Sequence, residues 1–225
     1  MAVEPVEIEM FMDVSCPWCH GAIETSRRLL DELAADPNVP SLRLTWRFMR
    51  LHPMPRDGGM ALRDLYATFM PDDAAIDAAM QETRDYVRSV GVRIDFARYS
   101  FVHDPLTAHR LMAAARDDDG DDVPSLWSLA RAVWNANFVH GIDITDHAAL
   151  RGAVERGGLF VPVRIWELIA TDDGHLAETL ADHERALEVG LDGVPRMVIG
   201  GRIVPTWIDP DEVRRTVREA IAAAR

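Results

Sequence analysis

The feature that most restricts this chain is Cys16-Pro17-Trp18-Cys19, which holds the only two cysteines among 225 residues. The pair stands where one periodicity gives way to another. Val6 to Met12 (Val-Glu-Ile-Glu-Met-Phe-Met) alternates apolar and polar residues and then turns wholly apolar, as a strand entering a buried sheet does. After a break at Asp13 to Ser15, a helical pattern runs from Cys16 to about Ala35. Ile23, Leu29, Leu30 and Leu33 fall on one side of it and Arg27, Arg28, Asp31 and Glu32 on the other, and Asp36-Pro37-Asn38 ends it. Leu42 to Met49 alternates again. Strand, helix and strand within fifty residues predict a βαβ unit with a parallel pair, so the cysteines belong at a strand-to-helix join.

That location has a chemical use. Unpaired N–H groups and the macrodipole at a helix N-terminus favour negative charge. Such sites lower a thiol pKa from about 8.5 to roughly 3.5–7.5, which predicts a Cys16 thiolate near neutral pH. Pro17 suits the first turn, where its missing N–H removes no helical bond. Cys19, one turn on, faces the same side and can resolve a mixed disulfide formed at Cys16. Two other readings stand beside this one. The pair is half a zinc site, but no third cysteine exists and no two histidines have suitable spacing. Cys16 to His20 also spells the Cys-x-x-Cys-His of c-type haem attachment, a modification made after export. His20 itself is expected on the helix surface, close enough to tune the thiolate.

Composition narrows the rest. All 24 basic residues are arginine, against 37 acidic ones, giving a net charge of −13. An acidic chain without an arginine-rich run argues against nucleic acid, and without lysine no Schiff base can form. At 48% hydrophobic residues there is ample material for a core. Met1 to Met12 carry three glutamates and no arginine, the reverse of a signal peptide. No apolar stretch approaches the ~20 residues of a membrane span. A cytoplasmic protein is expected, with no membrane association.

Beyond His52 to Gly59, rich in proline and glycine, the pattern turns helical as far as Leu187. Ile76, Met80, Val87 and Val90 keep a helical period. Leu106, Arg110, Ala113 and Ala114 form another helix, ended by Asp117-Asp118-Asp119-Gly120. Leu126, Leu129, Ala130, Val133, Trp134 and Asn137 make the clearest stripe. Further helices begin near Asp146, Pro162 and His175. Met197 to Ile199 and Arg202 to Val204 flank Gly200-Gly201, a hairpin signal. Asp209 and Pro210 open a last helix. The expected architecture is α/β: residues 1–58 and 173–225 form one domain, interrupted by a helical insertion at 59–172.

Some patterns read as structure. The acidic run Asp117 to Asp122 fails the calcium-loop spacing and is expected to be a solvated interhelix loop. Met54, Met60, Met70 and Met80 suit core filling, with an adaptable peptide groove as the other use. Trp127, Trp134 and Trp166 read as bundle or interface packing.

Gly193-Val194-Pro195, directly before a strand, carries the second functional signal. With the cysteine pair upstream it resembles the cis-proline loop of thioredoxin-like folds, in which Val194 offers its backbone to an extended peptide. Nearly the whole chain is similar to the DsbA-like thioredoxin superfamily, and within it to the FrnE-like thiol oxidoreductases. The resemblance rests on Asp13 before Cys-Pro-Trp-Cys, His52-Pro53 to Gly58, Thr107-Ala108-His109-Arg110-Leu111, Asn137-Phe138 to Asp143-Ile144, and Gly193-Val194-Pro195. It implies a thioredoxin-like fold with a large all-helical insertion. Cys16 would be the nucleophile, Cys19 the resolving thiol and Pro195 the cis-proline. Pro17, Trp18, Val194 and Arg196 would contact substrate, while Asp13, His20 and His109 are candidates for tuning the site. Arg196-Met197 and Pro205-Thr206-Trp207 depart from the family pattern on the expected substrate face. Both cysteines set the chain apart from the kappa-class transferase and hydroxychromene-carboxylate isomerase branch, which typically carries one serine. The implied activity is thiol–disulfide exchange with protein thiols or a low-molecular-weight thiol such as mycothiol or glutathione. The site would need no metal and no cofactor beyond a Cys16–Cys19 disulfide. A non-catalytic metal-binding interaction protein is the alternative from a different class.

Overall fold

The computed structural model describes residues 4–52, 59–171, 173–205 and 210–223. The link 53–58 with Met54, the Thr206-Trp207 pair and the Asp209 cap lie outside the described residues. The first fifty residues fold as β1 (Val6–Met12), α1 (Pro17–Ala34) and β2 (Leu42–Phe48). β1 pairs in parallel with β2 throughout its length, Val6 opposite Leu42 and Met12 opposite Phe48. Ile8, Met10, Phe11 and Met12 are fully buried. The strand is therefore covered on both faces at the end that feeds the cysteine pair.

The chain then forms β3 (Met60–Ala61), α2 (Leu62–Ala67), α3 (Asp73–Ser89), β4 (Phe101–Val102), α4 (Leu106–Asp117), α5 (Leu126–Phe138), α6 (His147–Arg156) and α7 (Val163–Ala170). β3 and β4 pair only with each other. Local chemistry starts several of these helices. Asp72 accepts from the Ala75 amide, Ser125 from Ser128, and Asp146 from Ala148 and Ala149, caps each typically contributing about 1 kcal/mol. Leu129, Ala130, Val133, Trp134 and Asn137 of the α5 stripe are buried, as the period requires. The Asp117–Asp122 segment is tied to α7, because Arg164 grips both Asp118 and Asp122.

Sheet structure resumes after α8 (Leu176–Glu188) with β5 (Arg196–Ile199) and β6 (Arg202–Pro205), followed by α9 (Pro210–Ala223). Gly200 and Gly201, at φ 56° and 82°, make the two-residue turn between the strands, a conformation open to residues without a Cβ. β5 runs antiparallel to β1, and the sheet order is β2-β1-β5-β6. The first strand of the chain thus lies beside the next-to-last.

α8 and α4 pack against β2, α9 against β1, β5 and β6, and α1 lies between α3 and α5. One contiguous buried cluster joins sheet and helices. A buried ionic group reinforces the join: Asp182 of α8 takes Arg47 of β2 at 2.9 Å and Arg116 of α4 at 2.5 Å. Because α3 and α5 both cover α1, its first turns are buried nearly all round, from Cys19 to Glu24 and again at Ser26. This overturns the expectation for His20, which lies inside, stacked on Phe138 with centroids 5.6 Å apart.

Candidate active site

Cys16 is the residue before α1, in extended backbone, and Pro17 is the first residue of the helix. The cysteine therefore sits at the positive end of an eighteen-residue helix. Its carbonyl accepts the amides of Cys19 at 3.1 Å and His20 at 3.4 Å. Both cysteines are free thiols. Their surroundings differ sharply. Cys19 has no exposed surface, and burial together with the neighbouring Cys16 thiol pushes its pKa well above the ordinary value. Cys16 is buried too, at 4% exposure, but its open edge lines a cleft of about 360 Å³ beside α2, α3 and Tyr99.

The Val194–Pro195 peptide bond is cis. Val194 presents its carbonyl oxygen 3.7 Å from the Cys16 Sγ. Arg196 turns its guanidinium back onto the Pro195 carbonyl at 3.0 Å and lies 3.6 Å from Asp192. Trp18 lines the cleft and stacks on Tyr86, centroids 4.4 Å apart. Gly21 makes this stack possible, since a Cβ there would lie 2.5 Å from the Tyr86 ring.

The loop before the helix is held from the helical segment. Tyr99 donates to the Ser15 carbonyl at 3.2 Å and the Asn137 side chain donates to the Val14 carbonyl at 3.0 Å. His109 Nε2 lies 3.1 Å from both the Val14 amide and the Asp13 carboxylate. Protonated, that nitrogen donates to Asp13; unprotonated, it accepts from Val14. Asp13 also takes the Ser15 amide at 2.8 Å and the Leu51 amide at 2.6 Å, and its own amide donates to Cys19 Sγ at 3.4 Å. Burial alone would raise the Asp13 carboxyl, but His109 and the two amides outweigh it and hold the group below the usual carboxylate range.

Of the residues expected at the site, Cys16, Cys19, Asp13, His109, Trp18 and Val194 come together here. His20 is held apart by its burial, which lowers its pKa to about 4 and keeps it neutral, so it brings no charge to the thiols. Met70 lines the cleft, whereas Met60 and Met80 pack against the core. Trp134 and Trp166 are buried, and Trp127 meets Trp46 edge-on at 4.7 Å. Tyr99 as a loop anchor and Tyr86 beneath Trp18 had no functional signal in the sequence, and Asn137 entered only through the family resemblance. Among the described residues, no three histidine, cysteine or acidic side chains converge as a metal site.

A strand-to-helix dithiol on a sheet of this order, with a cis peptide bond opposite, defines a thioredoxin-like protein. The model of the DSBA-like thioredoxin domain matches residues 7–219, and the chain belongs to that family. No curated protein sequence matches it. Among solved structures, it is similar to a probable DsbA oxidoreductase from Streptomyces coelicolor, with 20% identity over 96% of this chain and 90% of that one and a TM-score of 0.80. A cytosolic disulfide reductase from Pseudomonas aeruginosa, solved with glutathione, matches at 16% identity over 96% and 99% of the two chains, TM-score 0.58. A 2-hydroxychromene-2-carboxylate isomerase matches at 14% identity over 96% and 95%, TM-score 0.55. These likenesses establish the fold. No helix among the described residues is long and apolar enough to cross a membrane.

Proposed function

We propose that this chain is a thiol–disulfide oxidoreductase of FrnE-like type, acting through Cys16 and Cys19 with no other cofactor. The observation that carries the reading is the asymmetry of the pair: Cys16 lines the cleft, and Cys19 is wholly enclosed behind it. In the reducing direction the Cys16 thiolate attacks one sulfur of a substrate disulfide. The other substrate sulfur leaves as a thiolate and takes up a proton, and Cys16 is left in a mixed disulfide. Cys19 then loses its proton and attacks Cys16 Sγ, closing the Cys16–Cys19 bond and releasing the second substrate thiol. Once Cys16 is bonded it carries no charge, so one of the influences that keep Cys19 protonated is removed when its thiolate is needed. The Asp13 amide steadies that thiolate, and Val194 and Pro195 flank the reacting segment.

Protein thiols fit the cleft better than glutathione. Pro17, Trp18, Leu62, Leu65, Tyr66 and Phe69 make it apolar, and among the described residues Glu82 is the one carboxylate lining it and no arginine does. An anionic tripeptide would meet no cation among those residues. We take residues 59–172 as the helical insertion between the halves 1–58 and 173–225, and a reducing cytoplasm as the compartment. Cys16→Ser should abolish dithiothreitol-driven reduction of insulin, and unchanged turnover would sink the assignment. Cys19→Ala should accumulate mixed disulfides at Cys16, and their masses identify the partners.

A further inference from the structure

The 37 acidic residues of this chain outnumber its arginines, and most described arginines are matched with a carboxylate. Four departures from that rule gather on one face, apart from Arg215 and Arg218 of α9, which likewise have no ion pair among the described residues. Arg28 of α1 reaches only the Val90 carbonyl, and Arg88 of α3, Arg93 of the following loop and Arg156 of α6 have no ion pair among the described residues. These four side chains are exposed.

They line three adjoining hollows of about 430, 400 and 620 Å³ that share Arg93, Arg131, Asn135 and His140 between them. Arg131 approaches Glu24 only to 3.7 Å. Arg84 and Arg98, at the far edge, are engaged by the Phe96 ring and by Asp95. Glu24 and Asp95 are the only carboxylates lining the three hollows among the described residues. A cationic strip is thus set into a molecule whose net charge is −13. Uncompensated like charges this close repel one another, a cost that an anionic occupant relieves.

We propose that this strip, formed by α1, α3, the loop after α3, α5 and α6, is a docking surface for an acidic polypeptide segment. Cations distributed over three hollows call for several anionic groups spaced along one chain, which a single small anion does not supply. Among the described residues the one exposed ring on the strip is His140, since Phe96 is buried beneath Arg84, and a single imidazole offers no platform for successive nucleobases. The surrounding negative charge confines binding to the strip itself. Arg28 lies twelve residues beyond Cys16 on the same helix, about 18 Å along its axis. Resting on the thiol–disulfide reading, the favoured clients are proteins carrying an Asp/Glu-rich stretch at about that distance from the reacting cysteine.

The test is fluorescence anisotropy of a labelled oligoglutamate peptide with the intact protein, a measurement that needs no thiol chemistry. Failure of the redox reading would therefore leave it interpretable. Saturable binding at low ionic strength is expected, weakening at high salt. The R88E/R93E double variant should lose affinity about tenfold or more, as charge reversal at an electrostatic interface does. R202E, on the β6 edge, should bind as the parent does. Both variants change exposed residues, and their thermal melts confirm folding. Absence of binding, or equal binding by R88E/R93E, overturns the proposal. So does tighter binding of an oligothymidylate of equal charge, or full competition by inorganic pyrophosphate at matched charge.

Discussion

Replacing His109 by leucine removes one hydrogen-bonding partner of the buried Asp13 carboxylate while roughly conserving side-chain volume. In the parent, Asp13 has no exposed surface and its carboxylate is held by His109 at 3.1 Å and by the Leu51 and Ser15 amides. Without the ring, the carboxylate keeps two amides but loses the imidazole beside it, whose Nε2 serves Asp13 when protonated and the Val14 amide when not. Taking a hydrogen-bond partner from a buried carboxylate costs about 3 kcal/mol. At ~2–4 °C per kcal/mol for a chain of this size, melting should fall by roughly 10 °C. The pH dependence carries the sharper signature. The folded Asp13 carboxyl lies below the ordinary aspartate value of 3.8, so its stabilisation is complete above that value and is lost as pH falls through the lower, folded one. In the variant, burial dominates and raises the carboxyl, so ionising Asp13 then opposes folding as pH rises. The stability gap between parent and variant should be widest near neutral pH and narrow on acidification through the carboxylate range. Urea unfolding followed by tryptophan fluorescence at several pH values measures this. A gap that stays constant with pH would refute the argument, because the loss would then come from packing against Phe48 alone.

Other perturbations give contrasting outcomes. Gly21→Ala places a methyl 2.5 Å from the Tyr86 ring and should cost about 1–3 kcal/mol as overpacking, with a changed Trp18 emission as the Trp18–Tyr86 stack parts. In Cys16→Ser, Cys19 should resist iodoacetamide at neutral pH and react only well into alkaline solution, since burial keeps its pKa raised; rapid alkylation near neutrality would contradict the enclosure described. Arg164→Ala breaks an exposed pair of contacts with Asp118 and Asp122, and should lower stability by no more than about 1 kcal/mol, with the difference vanishing in high salt.

The sequence is most legible where a local rule decides the structure. The alternation in β1 and β2, the Gly200-Gly201 turn and the α5 stripe each report their own conformation within a few residues. The cysteine pair is legible for the same reason, since its role follows from its place at one helix end. The cradle is not legible. Tyr99, His109 and Asn137 bind the loop from 84 to 123 residues away in sequence, and nothing near any of them marks it as an anchor; only the family resemblance singled out His109 and Asn137. His20 was misplaced because a one-sided helix was expected. α1 is instead covered by two helices that follow it by dozens of residues, and a polar side chain on its second face is buried with them. The arginine strip is not legible either, since its members are scattered from position 28 to 156 and form no run of basic residues.

The sheet order has a consequence for how the molecule comes into being. β1 takes β5 as one of its two neighbours, and the carbonyl facing Cys16 belongs to Val194. Chains emerge from the ribosome at roughly 5–20 residues per second, so both thiols precede that partner by roughly ten to thirty-five seconds. Through that interval the nascent chain carries two cysteines without their enclosure, able to react with any oxidant or thiol they meet. During its own synthesis this protein is as vulnerable as the clients we assign to it.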